Sequence, residues 1–171
     1  KLIELSFGSV MIDLINSNSN LLRDDAKKQL NISGHYVIVC GYNASAGQQH
    51  LEIIKALSSI KDEMPINTIL LFPMTYARNE DYVNTVKEAL SKSCLNYILY
   101  EDYLNDENLL YLRKSADMFI HVQITDAFSA SVQEFLLCDT KVINGEWLRY
   151  PDLEKWGVPY AVLKSIDNLG E

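Results

Sequence analysis

Two carboxylates, Asp126 and Glu134, stand eight positions apart in the run HVQITDAFSASVQEFLLCDTKVI, residues 121–143. Ser129, Ala130 and Ser131 lie between them. If a helix opens near Phe128, these three small residues form its first turn, whose N–H groups have no partner within the helix. Small side chains leave those donors accessible, and the helix dipole favours an anion there. Ser131 and Glu134 are three apart and share a helix face. A phosphate at the helix start would leave Glu134 about a turn further along, where a carboxylate can accept both hydroxyls of a ribose diol. The same pattern also fits an Asp126 that merely caps the helix and a Glu134 that faces solvent.

A second polar loop, GYNASAGQQH (41–50), offers Asn43, Ala44 and Ser45 between an apolar run and an amphipathic one. It can also receive phosphate, or it can be a tight turn capped by Ser45 or Asn43. It is neither GxGxxG nor a loop ending in Gly-Lys-Ser/Thr, which counts against a dinucleotide enzyme and a P-loop. Tyr76, Tyr82, Tyr100 and Tyr103 fall at or near turns and can stack on a base or sugar, or fill core and rim. His35, His50 and His121 show no HxxxH spacing and no Asp-x-Asp occurs, so no metal site is expected. His121, inside an apolar run, reads as a hydrogen-bonded core histidine. Chain order yields no Ser-His-Asp or Cys-His arrangement. The segment EWLRYPDLEKWG reads as a surface helix with Trp147 and Trp156 packed inward.

These residues need elements to position them. Apolar, β-branched runs at 35–41, 67–73, 94–100, 117–124 and 140–144 read as buried strands, with a last one in YAVLK. Between them lie helical periodicities, such as Leu51, Ile54 and Leu57, or Val83, Val86 and Leu90. Asn105 or Asp106 caps a third helix, NDENLLYLRKS, and FSASVQEFLLC is a fourth. Strict β-α alternation means a parallel sheet covered on both faces. The expected fold is a Rossmann-like three-layer α/β/α domain of about six strands over residues 31–171. Residues 1–30 do not fit the alternation and read as a lead-in strand, a polar turn (NSNSN) and a short helix. In such a sheet, ligands bind outside the carboxyl ends of the strands, so the post-strand loops form the candidate site.

The chain has 171 residues, 48% hydrophobic and 22% charged, enough for one domain with a sizeable core. A net charge of −8 without a basic cluster argues against nucleic acid and anionic membranes as partners. No apolar run approaches a transmembrane length. Cys40, Cys94 and Cys138, an odd number without CxxC spacing, read as buried free thiols in a reducing, cytoplasmic compartment. The chain opens on Lys, not Met, and KLIELSFGSVMIDLI reads as the middle of something, so an excised piece of a longer protein is expected.

Taken together, these motifs resemble the C-terminal, donor-binding half of a GT-B glycosyltransferase. YVIVCGYNASAGQQHLEIIKAL looks like the first strand-loop-helix of that half. Its Asn43, His50 and Glu52 are similar to a pattern in the bacterial 4-acetamido-4,6-dideoxygalactosyltransferase family, which builds enterobacterial common antigen. LLFPMTYARNEDYVNTV resembles a second segment of that family. DMFIHVQITDAFSASVQEFLLCDTKVI looks instead like the broad retaining, group 1 pattern of acid, seven residues, Glu. ELSFGSV resembles the segment leading from the acceptor half. The resemblance implies that Glu134 holds the nucleotide ribose and that Ser129, Ala130 and Ser131 hold the diphosphate. It implies that Asp126, shorter than the usual Glu, contacts the donor sugar as the catalytic acid of the pair. Asn43, Ala44, Ser45, Tyr76 and Tyr100 are the further candidates for the donor pocket. The cation that retaining relatives place after the first strand is missing, and Arg78, after the second strand, is the obvious cation nearby, with no role assigned.

The implied activity is metal-independent, hexosyl-type transfer from a nucleotide-diphosphate sugar, without a cofactor. The acceptor would be a glycan or lipid-linked acceptor in bacterial surface-polysaccharide synthesis, bound by a missing N-terminal domain. The fragment alone would bind donor without turnover, and the full-length protein would be cytoplasmic or peripheral to the inner membrane. Other classes compatible with the fold are a non-catalytic sugar-nucleotide module, a GT-B-related epimerase and a receiver domain. CGYNASAG lacks the acids a receiver needs.

Overall fold

Three runs that alternate large apolar side chains about a strand axis form the centre of the molecule. These are β1 (Tyr36–Cys40), β2 (Thr68–Pro73) and β4 (Met118–His121). A computed structural model describes residues 9–126 and 129–170. With β3 (Tyr97–Tyr100), β5 (Lys141–Gly145) and β6 (Ala161–Leu163), these strands make one six-stranded sheet in the order β3-β2-β1-β4-β5-β6. Every pairing is parallel. Side chains alternate across a strand, so each central strand feeds two cores. Ile38, Cys40, Leu70, Phe72 and Ile120 point to one layer, with α3 (His50–Ser59) and α4 (Glu80–Lys92). Val37, Val39, Leu71 and Phe119 point to the other, with α5 (Asp106–Ser115), α6 (Ala130–Leu137) and α7 (Pro151–Lys155). This is the Rossmann-like three-layer domain that the alternation predicts.

Helices α4 and α5 start where side chains supply the missing acceptors. Asn79 accepts from the Tyr82 N–H at 3.1 Å, and Asn105 from the Asn108 N–H at 2.8 Å. Helix α2 (Arg23–Gln29) is tied down by charge. Asp117, just before β4, accepts the Val37 N–H at 2.9 Å and lies 3.2 Å from the nearly buried Lys27 ammonium. Arg23 adds a contact to the same carboxylate at 3.3 Å.

Several expectations are corrected. Residues 1–8, with most of ELSFGSV, lie outside the described residues, but Ser9–Ser17 is a helix, α1, and not part of a lead-in strand. Met11 and Ile15 of α1 pack on Leu110 and Cys138. Strand β4 stops at His121 and not at 124, because the next residues bond sideways to the loop after β1. The Val122 carbonyl accepts from Gln49, and the Ile124 N–H donates to the Gly47 carbonyl at 2.8 Å. The EWLRYPDLEKWG segment is a 3-10 turn (Glu146–Leu148) followed by the five-residue α7. Trp147 and Trp156 are not packed inward; they are 42% and 68% exposed. Trp147 lies flat on Gly145, where a β-carbon would come within 2.6 Å of the ring. Cys40 and Cys138 are buried thiols, whereas Cys94 is exposed.

His50 opens α3 fully buried, against Phe72 and Tyr82. Its Nδ1 lies 3.2 Å from the Tyr82 hydroxyl. Gly41 leaves β1 at φ +69°, and a β-carbon there would sit 2.9 Å from His50 Nε2, so glycine is required for this close approach. Burial lowers the His50 pKa to about 4. The unfolded chain therefore takes up a proton below about pH 6.5 that the folded chain refuses until about pH 4. We predict that the His50 contribution to stability is full above pH 6.5 and falls by about 3 kcal/mol as the pH drops towards 4. Urea denaturation across that range should show this slope in the wild type and lose it in His50→Gln.

Candidate functional site

The strand order reverses direction between β1 and β4, and this switch point opens a crevice at the carboxyl end of the sheet. Two groups of residues line it. The first surrounds a cavity of about 340 Å³. Its walls are Tyr42 after β1, Pro73, Thr75 and Tyr76 at the end of β2, and Arg113 at the end of α5. Ala130, Ser131 and Glu134 from the first turns of α6 face them, with Val10 and Met11 of α1 at the rim.

Arg113 is the centre of this wall. Only 5% exposed, it stacks its guanidinium over the Phe135 ring at 4.5 Å. Its Nε donates to Glu134 Oε2 at 2.9 Å and its Nη2 to Ser131 Oγ at 3.2 Å. Its Nη1 is buried without a hydrogen-bond partner. A charged donor that water cannot reach and protein does not satisfy is costly unless something else binds it. Glu134 is 8% exposed, so the solvent-facing reading of this acid is overturned. Ser129 is the cap of α6, not part of its first turn; its hydroxyl accepts the Val132 N–H at 3.4 Å. The amides of Ala130 and Ser131 precede any intrahelical acceptor and face the cavity end of the helix.

The second group lies beyond Tyr42. His121, fully buried, has its Nδ1 2.6 Å from Asn144 Oδ1. Its Nε2 is 3.2 Å from Asp126 Oδ2, close enough for an ion pair but outside hydrogen-bond geometry. Tyr150 donates to the same Asp126 oxygen at 3.2 Å and takes a bond from the Ser129 backbone. Burial first, then the Asp126 charge, pushes the Tyr150 phenol well up, so it stays a donor. Tyr42 stacks on His121 with centroids 6.0 Å apart and separates this group from the cavity.

The structure therefore brings Glu134, Ala130, Ser131 and Tyr76 to one cavity, and places Asp126 on a separate network. It does not bring Tyr100 there; that ring packs in the core with its hydroxyl buried and unpaired. Of the first loop, Asn43 Oδ1 accepts the Ser45 N–H, and the Ala44 N–H goes to the Tyr76 carbonyl, both at 2.8 Å. Ser45 Oγ accepts the Gly47 N–H, and Gln49, in the left-handed region, precedes α3. Neither Ser45 nor Asn43 caps α3 itself. Arg78 is not in the cavity wall; it pairs with Glu80 and Glu101 on the surface. The cation of the site is Arg113, which sequence reasoning missed. Its signal was its spacing: Leu109, Leu110 and Ala116 flank it at i−4, i−3 and i+3, which puts an arginine on the buried face. Among the described residues, no group of three or more His, Cys, Asp or Glu side chains is placed to hold a metal ion. No described helix is long and apolar enough to cross a membrane.

By sequence, no protein-family model and no curated protein matches the chain. By structure it is similar to the C-terminal domain of a glycosyl transferase group 1 family protein from Francisella tularensis. The TM-score is 0.72 at 13% identity, over 86% of this chain and 78% of that one. A glycosyltransferase from Rickettsia africae gives a TM-score of 0.71 at 16% identity, over 89% of this chain and 41% of that one. Anabaena Alr3699/HepE, solved in complex with UDP-glucose, gives 0.61 at 18% identity, over 86% and 40%. The chain thus spans about two fifths of the length of the latter two. At these identities the likeness establishes the fold: a Rossmann-like domain of the kind that forms one half of a GT-B protein.

The Arg113–Glu134 pair makes removal of either partner costly, because the other is left buried and charged. We predict that Glu134→Ala lowers the unfolding free energy by about 3–5 kcal/mol. Glu134→Gln, which still accepts from Arg113, should lose less. Chemical denaturation of the two variants beside the wild type measures the difference.

Proposed function

We propose that the domain binds the nucleotide-diphosphate sugar of a glycosyltransferase. The observation that carries this reading is the Arg113 guanidinium on a cavity wall where α6 begins, held there by Glu134 and Ser131. An anionic oxygen in the cavity would meet this cation, and a small shift of the side chain would bring its unpaired Nη1 within reach. The Ala130 and Ser131 amides and the α6 dipole would hold the rest of a diphosphate. Arg113 already occupies one Glu134 oxygen, which leaves the second for a ribose hydroxyl. Tyr76, half exposed at the cavity mouth with its hydroxyl against Asn43, offers a face to a base or sugar. Asn43, Ala44 and Ser45 would act through this tyrosine and not as a phosphate cradle. The likeness to the Francisella and Rickettsia glycosyltransferases, and to the Anabaena protein solved with UDP-glucose, supports a transferase reading for the fold.

In this reading, the dipole and Arg113 stabilise charge on the departing diphosphate, so transfer proceeds without a metal ion. Asp126 takes the sugar end of the donor. The acceptor, a glycan or lipid-linked glycan of bacterial surface polysaccharide, binds a second domain, and this chain alone binds donor without transferring sugar. The particular likeness to the 4-acetamido-4,6-dideoxygalactosyltransferase family belongs to this proposal as well.

Calorimetric titration with UDP, TDP, GDP and CDP tests it. One nucleotide should bind, and Glu134→Gln should weaken it by about ten- to a hundredfold, the loss of a charge-assisted bond worth about 1.5–3 kcal/mol. The paired variant Arg113→Met/Glu134→Leu removes both charges together, so it should fold as stably as the wild type yet lose binding. Undiminished binding in the paired variant, or no nucleotide bound by the full-length protein at millimolar levels, would sink the proposal.

A further inference from the structure

The hydrogen bonds around Asn144 fix the protonation of His121. Asn144 Nδ2 donates to the Leu148 carbonyl at 2.7 Å and to the Gly145 carbonyl at 3.3 Å. Flipping the amide would set its oxygen against two carbonyl oxygens, so the assignment follows from the network. Asn144 Oδ1 is then the atom facing His121, 2.6 Å from Nδ1, and the carboxamide oxygen can only accept. His121 Nδ1 therefore carries a proton. A neutral imidazole has only one, so its Nε2 would be a bare lone pair. That nitrogen lies 3.2 Å from Asp126 Oδ2, which already takes the Tyr150 hydroxyl. A bare nitrogen against a carboxylate oxygen, in a site with no exposure at the histidine, is repulsive.

The geometry points to a second proton on Nε2: His121 is a buried imidazolium paired with the Asp126 carboxylate. The alternative position for that proton, on the near oxygen of Asp126, is disfavoured because that oxygen already accepts the Tyr150 hydroxyl. The groups facing His121 are consistent with a cation. Asn144 from β5 presents an oxygen, and Asp126 presents a carboxylate. Tyr42 stacks on it from the loop after β1, and Tyr150 lies 6.2 Å away from the turn before α7. Phe119, on its own strand, is 5.7 Å away. No other charged side chain is recorded against it among the described residues.

The pair gives His121 a task. It is a positioning residue that holds Asp126 at the switch point, next to the cap of α6. What that placement does for sugar transfer rests on the donor reading above; the proton itself does not, since it is present without ligand. The test is nitrogen NMR of the 171-residue chain with labelled imidazoles at pH 7, free of nucleotide. The three histidines are separated by His35→Gln and His50→Gln. The expected His121 spectrum has both ring nitrogens protonated, and carbon NMR shows Asp126 ionised. In Asp126→Asn the new amide donates to Nε2, so that nitrogen should lose its proton while Nδ1 keeps its own. A merely structural, neutral histidine would show no such change. An unprotonated Nε2 in the wild type, or a protonated Asp126, would overturn the inference, whether or not any nucleotide binds.

Discussion

The buried contact between Arg113 and Glu134 is the constraint around which the carboxyl end of this molecule is arranged. Dehydrating a guanidinium and a carboxylate is expensive, and their attraction repays it only if geometry and further hydrogen bonds are good. The fold supplies both. The Phe135 ring lies under the guanidinium, Ser131 takes one edge, and Glu134 takes Nε. Thr140 bonds back to the Ala116 carbonyl at 3.1 Å and holds the end of α5 beside the start of β5. Helices α5 and α6 are thereby fixed in register, with the first turn of α6 pointing at the crevice. Any ligand there meets a wall that is already in place.

The crevice is held from the other side by uncharged polar groups. Gln48, 2% exposed, donates to Gln123 Oε1, which also takes the Tyr42 hydroxyl at 3.0 Å. The Trp147 indole N–H donates to the Gln123 carbonyl at 2.7 Å. These bonds lash the loops after β1, β4 and β5 together where a parallel sheet ends and its backbone groups would otherwise lack partners. Tyr42 sits in the middle, with one ring contact to His121 and one side on the cavity. The two networks are thus mechanically continuous although no charge passes between them. A shift of Tyr42 would be felt by both the Arg113 wall and the Asp126–His121 pair.

Most of the fold was legible in the sequence because its strands are short, apolar and separated by strongly periodic helices. Val37, Val39, Leu71 and Phe119 sit among equally apolar neighbours, and only a sheet buried on both faces accommodates such runs. The limits of the reading came where side chains overrode pattern. Strand β4 looked longer because Val122 and Ile124 are apolar, yet Gln49 and Gly47 draw them out of the sheet. Trp147 and Trp156 looked like core because of their size; an exposed aromatic gives no different local signal. Arg78 stood out as a nearby cation because it follows a strand, and two acids on the surface hold it away from the cavity. Arg113 was hidden in a helix assigned by its leucines. Ser129 and Asp126 exchanged the expected cap role, a matter of one or two residues at a helix start, which periodicity does not resolve.

The charge balance of the site limits how it can work. Arg113 with Glu134 is neutral as a pair, and so is His121 with Asp126. The chain as a whole carries −8, so its long-range field repels a diphosphate. In the donor reading proposed above, attraction is therefore local and directional: the Arg113 guanidinium, the first amides of α6, and the dipole behind them. Donors of this kind are strong only where water is kept away and only over hydrogen-bond distances. A lone buried lysine would have given more net charge, but at a desolvation cost that no nearby acid offsets and without a fixed direction. The ion pair trades net charge for aim. In the donor reading proposed above, that trade would suit a pocket that tells a diphosphate joined to a ribose from other anions, because Glu134 repels a bare anion and accepts from a hydroxyl a turn away.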